Sequence, residues 1–176
     1  MVNVPLLETG RLSLRGFRNE DFEQYAATWA EPAVVRFITG SALSREAAWH
    51  RFLRQVGHWE RMGFGYFAIE DRATGAFLGE AGFQDLRRTL SPSIEGTMEA
   101  GWVLATKAHG KGIAEEAMRA CLDWADSTRP DKRMTCIIQP DHAASLHIAK
   151  KLGFEAFSTS YYDGEPRIRL ERFRLS

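Results

Sequence analysis

Cysteine is scarce in this sequence, which contains only Cys121 and Cys136 among its 176 residues. Two cysteines outside a CxxC motif do not make a disulfide framework for a chain of this length. Cys121 falls on an apolar helical stripe and Cys136 inside an apolar strand pattern, so we expect two inert core thiols. This cysteine usage fits a reducing compartment, and we expect a cytoplasmic protein.

The sequence also lacks a surplus of charge and a long hydrophobic run. Lys plus Arg and Asp plus Glu number 23 each, whereas a general nucleic-acid binder usually carries a basic surplus. No apolar run approaches the roughly 18 residues that a membrane-spanning helix needs. The opening segment "MVNVPLLETGRLSLRG" has no basic region followed by an apolar one, so we expect no signal peptide. We therefore expect neither nucleic acid nor a membrane as a partner.

Internal repeats and linkers are also missing, so we expect one domain, residues 1–176, with its own core. Polar and apolar residues alternate in several short segments, which is the pattern of strands. A turn at Asp71–Gly75 joins two of these segments. About seven strands are predicted: Arg11–Phe17, two between residues 64 and 84, Thr97–Ala105, Arg133–Gln139, Phe154–Tyr162 and Arg167–Leu175.

About four helices are predicted between the strands. Asn19 can cap the first, which runs to Ala30 before Pro32 breaks the pattern, and Ser44 can cap the second. The third helix begins near Gly112, and Gly153 can close the fourth. The resulting order, β-α-α-β-β-β-α-β-α-β-β, predicts a single-domain α/β fold with a mixed sheet.

The second predicted helix carries two residue stripes at helical spacing. An apolar stripe is expected to face the core, and it consists of Trp49, Phe52, Leu53, Val56 and Trp59. The other stripe, His50, Arg54 and His58, has an arginine between its two histidines. We expect that stripe to be solvated rather than to bind a metal.

A glycine-rich segment, "ATKAHGKGIAEEAM" from Ala105 to Met118, joins a predicted strand to a helix. It fails the P-loop pattern, because Lys111 is followed by Gly112 and the first glycine is missing. It matches the dinucleotide motif GxGxxG only in part, because Glu115 stands at the third glycine. A plain strand-to-helix turn is the remaining alternative. Successive N–H groups at a helix N-terminus nevertheless favour an anion at "HGKGIA", residues 109–114.

Three segments together resemble the GNAT superfamily of N-acetyltransferases, and specifically the branch of the ribosomal-protein alanine N-acetyltransferases. "LLETGRLSLRGFRNEDFEQYAATWAEPAVVRFI" resembles the opening of that branch, with an L-x-T-x-R-L-x-L-R pattern and an acidic helix start. "MEAGWVLATKAHGKGIAEEAM" resembles its acetyl-CoA loop, and "HAASLHIAKKLGFEAF" resembles its N-x-x-S…K-L-G-F segment. The match covers the whole chain in the order of the family.

The resemblance implies a central, mostly antiparallel mixed sheet that splays beside its fourth strand, with acetyl-CoA as cosubstrate in the gap and no metal. The pantetheine arm would lie along the backbone of Val103, Leu104 and Ala105. The pyrophosphate would contact the N–H groups of residues 110–114. Side chains near the pantetheine arm and the pyrophosphate would complete the cofactor site. These residues are Gly110, Lys111, Gly112, Ile113 and Ala114, together with His109, His142 and Ser145.

The sequence departs from the superfamily at three of these places. His109 stands where the superfamily often has Gln or Arg, and His142 stands where Asn is usual. Ala149 stands where many members have a tyrosine that protonates the leaving thiolate. In the resembled branch a serine can serve instead, and Ser145 occupies that place.

Acetyl transfer to an amine needs a group that takes the amine proton and a donor for the developing oxyanion. Glu99, on the strand before the loop, is the candidate base, directly or through a water. A backbone N–H around Val103 or Leu104 is the candidate oxyanion donor. Tyr161 and Tyr162 are candidates to line the acceptor site.

The acceptor itself stays open between a protein N-terminus and a small-molecule amine. Convergence of Glu95, Glu99, Asp163 and Glu165 would favour a cationic acceptor, whereas Arg87 and Arg88 are expected to be solvated. Transfer is expected to be direct, in a ternary complex, since no cysteine is well placed. The alternatives are a non-catalytic acyl-CoA-binding module and a nucleotide-binding oxidoreductase, and the resembled branch often forms homodimers.

Overall fold

A computed structural model describes residues 3–172 of the chain. Its strands form a single sheet of eight in the order β1-β2-β3-β4-β5-β6-β8-β7. The predicted last strand extends to Leu175, and its residues 173–175 lie outside the described residues. The strands are β1 (Leu7–Glu8), β2 (Leu12–Arg15), β3 (Tyr66–Asp71), β4 (Phe77–Gln84), β5 (Met98–Leu104), β6 (Met134–Ile138), β7 (Phe154–Tyr162) and β8 (Glu165–Arg172).

Helices cover both faces of the sheet. The helices are α1 (Phe22–Ala30), α2 (Pro32–Val35), α3 (Arg45–Met62), α4 (Ile113–Thr128) and α5 (Ala143–Lys151), with short 3-10 turns at Asn19–Asp21 and Thr106–Ala108. Within residues 3–172, no helix is both long enough and apolar enough to cross a membrane.

Among the described residues, only one neighbouring pair of strands is parallel. β5 and β6 pair at Met98 with Met134 and at Glu99 with Thr135, and beyond these residues the two strands diverge. The remaining neighbours, including β4 with β5 and β6 with β8, are antiparallel. The predicted mixed, mostly antiparallel sheet that opens beside β5 is therefore confirmed.

The alternation of side chains along β5 separates two hydrophobic clusters. Met98, Ala100 and Leu104 belong to the larger cluster, which includes the buried side chains of α4. Val103 belongs to the other cluster, with the aromatic residues of α1 and α3. Because successive strand side chains point to opposite faces, Glu99 and Gly101 lie on the same face as Val103.

The predicted counts of about seven strands and four helices were low because the two additional elements are very short. β1 has two residues, and α2 is a single turn of four that begins at Pro32. Proline is well suited to a first helical position. The prediction that Asn19 caps α1 was wrong, because a 3-10 turn precedes that helix and Arg18 holds the cap position.

The predicted N-cap of α3 is confirmed, but its predicted stripes are partly wrong. The Oγ of Ser44 accepts a hydrogen bond from the N–H of Ala47 at 3.1 Å, and Gly63 ends the helix with φ of 70°. Phe52 and Trp59 are buried as expected. The remaining members of the apolar stripe, Trp49, Leu53 and Val56, are exposed.

Polar residues take the buried positions of α3 instead, because they have partners there. The amide of Gln55 bonds to the buried carboxylate of Glu80 and to Gln84. His58 was expected to be solvated, but it is buried between the carbonyl of Phe64 and the N–H of Asp85. Both of its ring nitrogens are thereby satisfied, and hydropathy alone does not reveal such pairing.

Candidate active site

The gap between β5 and β6 exposes part of the β5 backbone. The N–H of Met98 bonds to Arg133 on the β6 side, whereas the N–H of Ala105 bonds to Leu78 on the β4 side. Backbone amides alternate in direction along a strand. The amides of Trp102 and Leu104 therefore face the gap, where no β6 residue is paired with them.

A first cleft of about 410 Å³ lies along this exposed edge and the start of α4. Gly110 and Gly112 have φ of 71° and 73°, and a Cβ on Gly110 would meet no atom within 4 Å. Glycine there keeps the backbone open to a ligand. Most of the predicted cofactor residues line this cleft, namely Val103, Leu104, His109, Gly110, Gly112, Ile113, Ala114, His142 and Ser145.

Two predicted cofactor residues do not line the first cleft. The amide N–H of Ala105 is already bonded to the carbonyl of Leu78. Lys111 is exposed, and its carbonyl accepts a hydrogen bond of 2.9 Å from Arg11. The lysine side chain therefore has no described contact with the cleft.

A second cleft of about 150 Å³ lies on the α3 side of the gap. It contains Glu99 and Tyr162 from the sequence prediction. Five residues line both clefts, namely Ile38, Trp102, Val103, His142 and Ser145. The two clefts therefore meet where β5 leaves β6, and a ligand in one could touch a ligand in the other.

His142 and Ser145 form a hydrogen-bonded pair at this junction. The Oγ of Ser145 lies 2.9 Å from Nε2 of His142, whose ring stacks on Phe37 with 4.5 Å between the centroids. Burial and the nearby His109 lower the pKa of His142 below its ordinary value, so its ring is neutral near pH 7. His109 lies 2.9 Å from the carbonyl of Leu104 through its own Nε2.

Glu99 is held by Arg88 inside the second cleft. Nε and Nη2 of Arg88 donate three hydrogen bonds of 2.8 to 3.0 Å to the Glu99 carboxylate. The Arg88 guanidinium also lies 4.9 Å from the ring centroid of Tyr162. The expectation that Arg88 is solvated was therefore wrong, because a long-range partner fixes it. Arg87 is exposed as expected and pairs with the exposed Glu95.

The two adjacent tyrosines of β7 have different environments. Tyr162 lines the second cleft, whereas Tyr161 is 76% exposed and does not line it. Alternating side-chain directions along a strand require this difference. Tyr161 is accordingly left out of the candidate site.

Sequence reasoning missed several side chains that line the second cleft. Arg51 comes from α3, Tyr66 from β3, Gln84 from β4 and Arg167 from β8. Gly101 makes room for one of them, since a Cβ there would lie 1.8 Å from the hydroxyl of Tyr66. The glycine inside a predicted strand was the one sequence signal for this close approach.

Neither cysteine is a candidate nucleophile. Both thiols are buried, and burial raises the pKa of Cys121 and of Cys136 above their ordinary values. Protonated thiols are poor nucleophiles, which agrees with the predicted inert role. Among residues 3–172, no group of three or more His, Cys, Asp or Glu side chains is arranged to hold a metal ion.

The residues around the first cleft suit a CoA thioester. The gap-facing amides of β5 can pair with an extended amide-containing arm, and the start of α4 offers N–H groups to phosphates. An open sheet that diverges at its parallel pair, with a glycine-rich helix start beside the gap, is the architecture of an N-acetyltransferase.

Comparison with known proteins agrees with this class. The model of the acetyltransferase (GNAT) domain family matches residues 11–155, and the chain belongs to this family. The YkkB protein of Bacillus subtilis is 29% identical over 161 residues, which cover 87% of each chain. A protein from Bordetella pertussis, described as a GnaT-family acetyltransferase, is 31% identical with a TM-score of 0.84, covering 96% of this chain and 99% of that one.

The fold is also that of RimL, a ribosomal L7/L12 alpha-N-protein acetyltransferase solved in complex with coenzyme A. Its TM-score is 0.76 at 15% identity, with 96% of this chain and 97% of that chain covered. At this identity the likeness shows the fold alone. The predicted superfamily is confirmed, and membership of it supports acetyl transfer.

Proposed function

We propose that this protein is an acetyl-CoA-dependent N-acetyltransferase that moves the acetyl group directly to a primary amine in a ternary complex. The observation that carries the proposal is the junction of the two clefts at Trp102, Val103, His142 and Ser145. A thioester in the first cleft and an amine in the second would meet there. Such proximity supplies much of the rate enhancement of a bimolecular transfer.

The first cleft binds acetyl-CoA through backbone groups. The gap-facing amides of Trp102 and Leu104 pair with the pantetheine arm, and the N–H groups around Gly110 to Ala114 contact the pyrophosphate. The N-terminal dipole of α4 favours this negative charge. The amide of Leu104 or Trp102 is also the nearest available donor for the oxyanion that develops on the attacked carbonyl. Acetyl-CoA supplies the activated acetyl group when bound.

Glu99 takes the first proton on the acceptor side. An ammonium has no lone pair, so one proton must leave before attack. A carboxylate has about four lone-pair sites, and within residues 3–172 Oε2 of Glu99 accepts a single hydrogen bond, from Arg88. This oxygen can accept the amine proton directly or through a water, while Arg88 fixes its position.

Ser145 serves the leaving sulfur. The amine nitrogen bonds to the carbonyl carbon as the carbon–sulfur bond breaks, and the Ser145 hydroxyl gives its proton to the departing thiolate. The second proton of the amine nitrogen restores the serine, so that atoms and charge balance. Neutral His142 holds the Ser145 oxygen at 2.9 Å and can donate to it, which leaves the hydroxyl hydrogen free for sulfur.

Calorimetric titration with acetyl-CoA tests the first cleft. We expect Gly110→Tyr to abolish binding, because the added side chain would occupy the space that Gly110 leaves open. Gly75→Tyr is the matched control, since Gly75 has φ of 72°, its Cβ would also meet nothing within 4 Å, and it lies in the β3–β4 turn. Equal binding by both variants, or no binding by the wild type, would contradict the proposed role of the first cleft.

Release of free CoA in the presence of primary amines then separates an enzyme from a non-catalytic acyl-CoA-binding module. The enzyme predicts amine-dependent thiol release that is lowered by Glu99→Gln and by Ser145→Ala. The module predicts binding without release for every amine tested. A cytoplasmic location, absence of a bound metal and formation of a homodimer are further parts of this proposal, and fractionation, elemental analysis and sedimentation test them.

A further inference from the structure

Two buried polar atoms of residues lining the second cleft have no partner among residues 3–172. Oε1 of Gln84 is a hydrogen-bond acceptor, and Nε of Arg51 is a donor. Buried polar atoms in native proteins nearly always have partners. Gln84 pairs across the sheet with Glu99, so its orphan acceptor lies beside the proposed base, where an amine N–H would arrive.

Apart from the Arg88–Glu99 ion pair, the side chains that line the second cleft carry a net positive charge. Arg88 and Glu99 neutralise each other. Arg51 and Arg167 have no carboxylate oxygen within 4.0 Å in the described part of the chain. Arg167 is only 8% exposed, and within residues 3–172 it donates a single hydrogen bond, to the carbonyl of Pro166.

The acidic side chains near these arginines offset their charge only in part. Glu95 is exposed and pairs with Arg87. Asp163 lines the cleft, but it is exposed at the β7–β8 turn, and Glu165 does not line it. Asp163 and Glu165 act on Arg167 from beyond ion-pair distance, and Glu99 is paired with Arg88. Within residues 3–172, the acidic residues therefore do not form the single unpaired cluster that would have favoured a cationic acceptor. Glu80, buried on β4, acts on Arg51 only from beyond ion-pair distance.

From these contacts we infer that the acceptor is a small primary amine that also carries a carboxylate, as an amino acid does; this rests on the proposed acetyl transfer. The amine would lie against Gln84 and Glu99 at the junction, and the carboxylate would be bound by Arg51 and Arg167. Guanidinium groups are the side chains best suited to a carboxylate. A cleft of about 150 Å³ is small beside the roughly 300–1,000 Å³ of drug-sized ligand sites, which favours a free amino acid over a peptide.

The test compares acceptors that differ only in the charged group. Initial rates of CoA release are measured with amino acids, with the carboxamides of the same amino acids and with the corresponding decarboxylated amines. Tripeptides and diamines complete the set. We expect kcat/KM for at least one amino acid to exceed that of its carboxamide by tenfold or more. A carboxamide, diamine or tripeptide that equals or exceeds every amino acid would overturn the inference.

Arginine variants assign the preference to the second cleft. We expect Arg167→Gln and Arg51→Gln to reduce the ratio of amino-acid to carboxamide kcat/KM at least fivefold, mainly through KM, and Arg167→Lys to retain part of it. Arg87→Gln is the matched control, since this arginine is exposed and does not line the cleft. Thermal unfolding checks that Arg51→Gln still folds, because the Arg51 guanidinium stacks 3.8 Å from the centre of the Trp29 ring. A ratio that neither variant changes would overturn the assignment to these arginines.

The experiments distinguish a failure of the proposed acetyl transfer from a failure of the inferred acceptor class. If uncharged or cationic amines release CoA and amino acids do not, the acetyl transfer stands and the acceptor class is wrong. If acetyl-CoA binds but no amine of any class releases CoA, the transfer itself fails, and the inference on the acceptor fails with it.

Discussion

The guanidinium of Arg88 holds both carboxylate oxygens of Glu99 through three hydrogen bonds, although eleven positions separate the residues along the chain. The side chain of Glu99 is 9% exposed and that of Arg88 is 20% exposed. Burial alone would lower the pKa of Arg88, but its bonds to Glu99 raise it above the ordinary value. Arg88 therefore keeps its charge, and its three hydrogen bonds to Glu99 fix the wall of the second cleft.

Removal of Arg88 alone should destabilise the fold more than removal of both partners. We expect Arg88→Met to lower the free energy of unfolding by about 2–4 kcal/mol, because it leaves a buried carboxylate unpaired. The expected loss is smaller than for a fully buried pair, because this pair is partly exposed. The double variant Arg88→Met/Glu99→Gln should recover at least half of that loss. Urea unfolding of the two single variants and the double variant completes the cycle. Losses that simply add in the double variant would show that the two groups are not coupled.

Glu99→Gln should affect catalysis in a way that depends on pH. Removal of a general base typically costs roughly 10²-fold or more in rate, and we expect a loss of that size in kcat at neutral pH. The deficit should shrink as the pH approaches the pKa of the acceptor amine, since the free base then forms without help. Rate profiles of wild type, Glu99→Gln and the exposed control Glu95→Gln measure this. A deficit that is constant over pH would assign Glu99 to positioning alone.

The absence of a side chain at Gly101 should be essential to the packing of Tyr66. A Cβ there would lie 1.8 Å from the tyrosine oxygen and 2.9 Å from the ring carbon that bears it. We expect Gly101→Ala to cost about 1–3 kcal/mol through overpacking, and Tyr66→Phe in the same background to recover part of it. The matched control is Gly57→Ala in α3, whose Cβ would meet nothing within 4 Å and which should stabilise the helix by up to about 1 kcal/mol. Indistinguishable thermal unfolding of Gly101→Ala and wild type would refute the close approach.

The stability of the fold should fall as Glu80 ionises. Burial raises the pKa of Glu80 to about 7 from the ordinary value of 4.5, although Arg51 and Arg54 oppose the shift. Because the folded pKa is the higher one, the contribution to stability is complete below about pH 4.5 and is lost as pH rises through 7. Relative to Glu80→Gln, the wild type should lose up to about 3 kcal/mol over that range. Urea unfolding at several pH values measures the difference, and a difference that does not change with pH would contradict the shift.

The first cleft could be predicted from the sequence because its residues are nearly contiguous. The strand from Met98 to Leu104, the glycines at 110 and 112 and the start of α4 follow one another along the chain. Local rules for strands, glycine and helix N-termini therefore place them together. His142 and Ser145 came from one further segment, and the resemblance to the superfamily supplied its position.

The second cleft could not be predicted in this way because it is assembled by long-range packing. Arg51, Gln84 and Arg167 belong to α3, β4 and β8, which are far apart along the chain, and β8 rather than β7 is the sheet neighbour of β6. Arg88 illustrates the error that follows. The position of Arg88 in a polar loop predicts a solvated side chain. Only the tertiary contact with Glu99 shows that Arg88 is held in an ion pair. Charge balance in the second cleft, and hence the proposed acceptor class, depends on such pairs.

The hydroxyl of Ser145 should act on the chemical step and not on cofactor binding. Its Oγ lies at the junction of the two clefts and 2.9 Å from Nε2 of His142. The contacts proposed to bind acetyl-CoA come instead from backbone groups of β5 and α4. We expect Ser145→Ala to lower kcat on the order of 10²-fold, as for loss of a general acid, with the Kd of acetyl-CoA changed by less than about threefold.

The positioning role of His142 is separable from that of the serine. His142→Asn keeps a donor at this position and should lose less than His142→Leu, which removes the hydrogen bond to Ser145. In the Ser145→Ala background the two histidine variants should become equal in kcat, because there is no hydroxyl left to position. Single-turnover rates and calorimetric Kd values for the five variants measure both effects. A kcat for Ser145→Ala equal to that of the wild type, or a loss carried wholly by weaker acetyl-CoA binding, would remove the serine from the proposed chemistry.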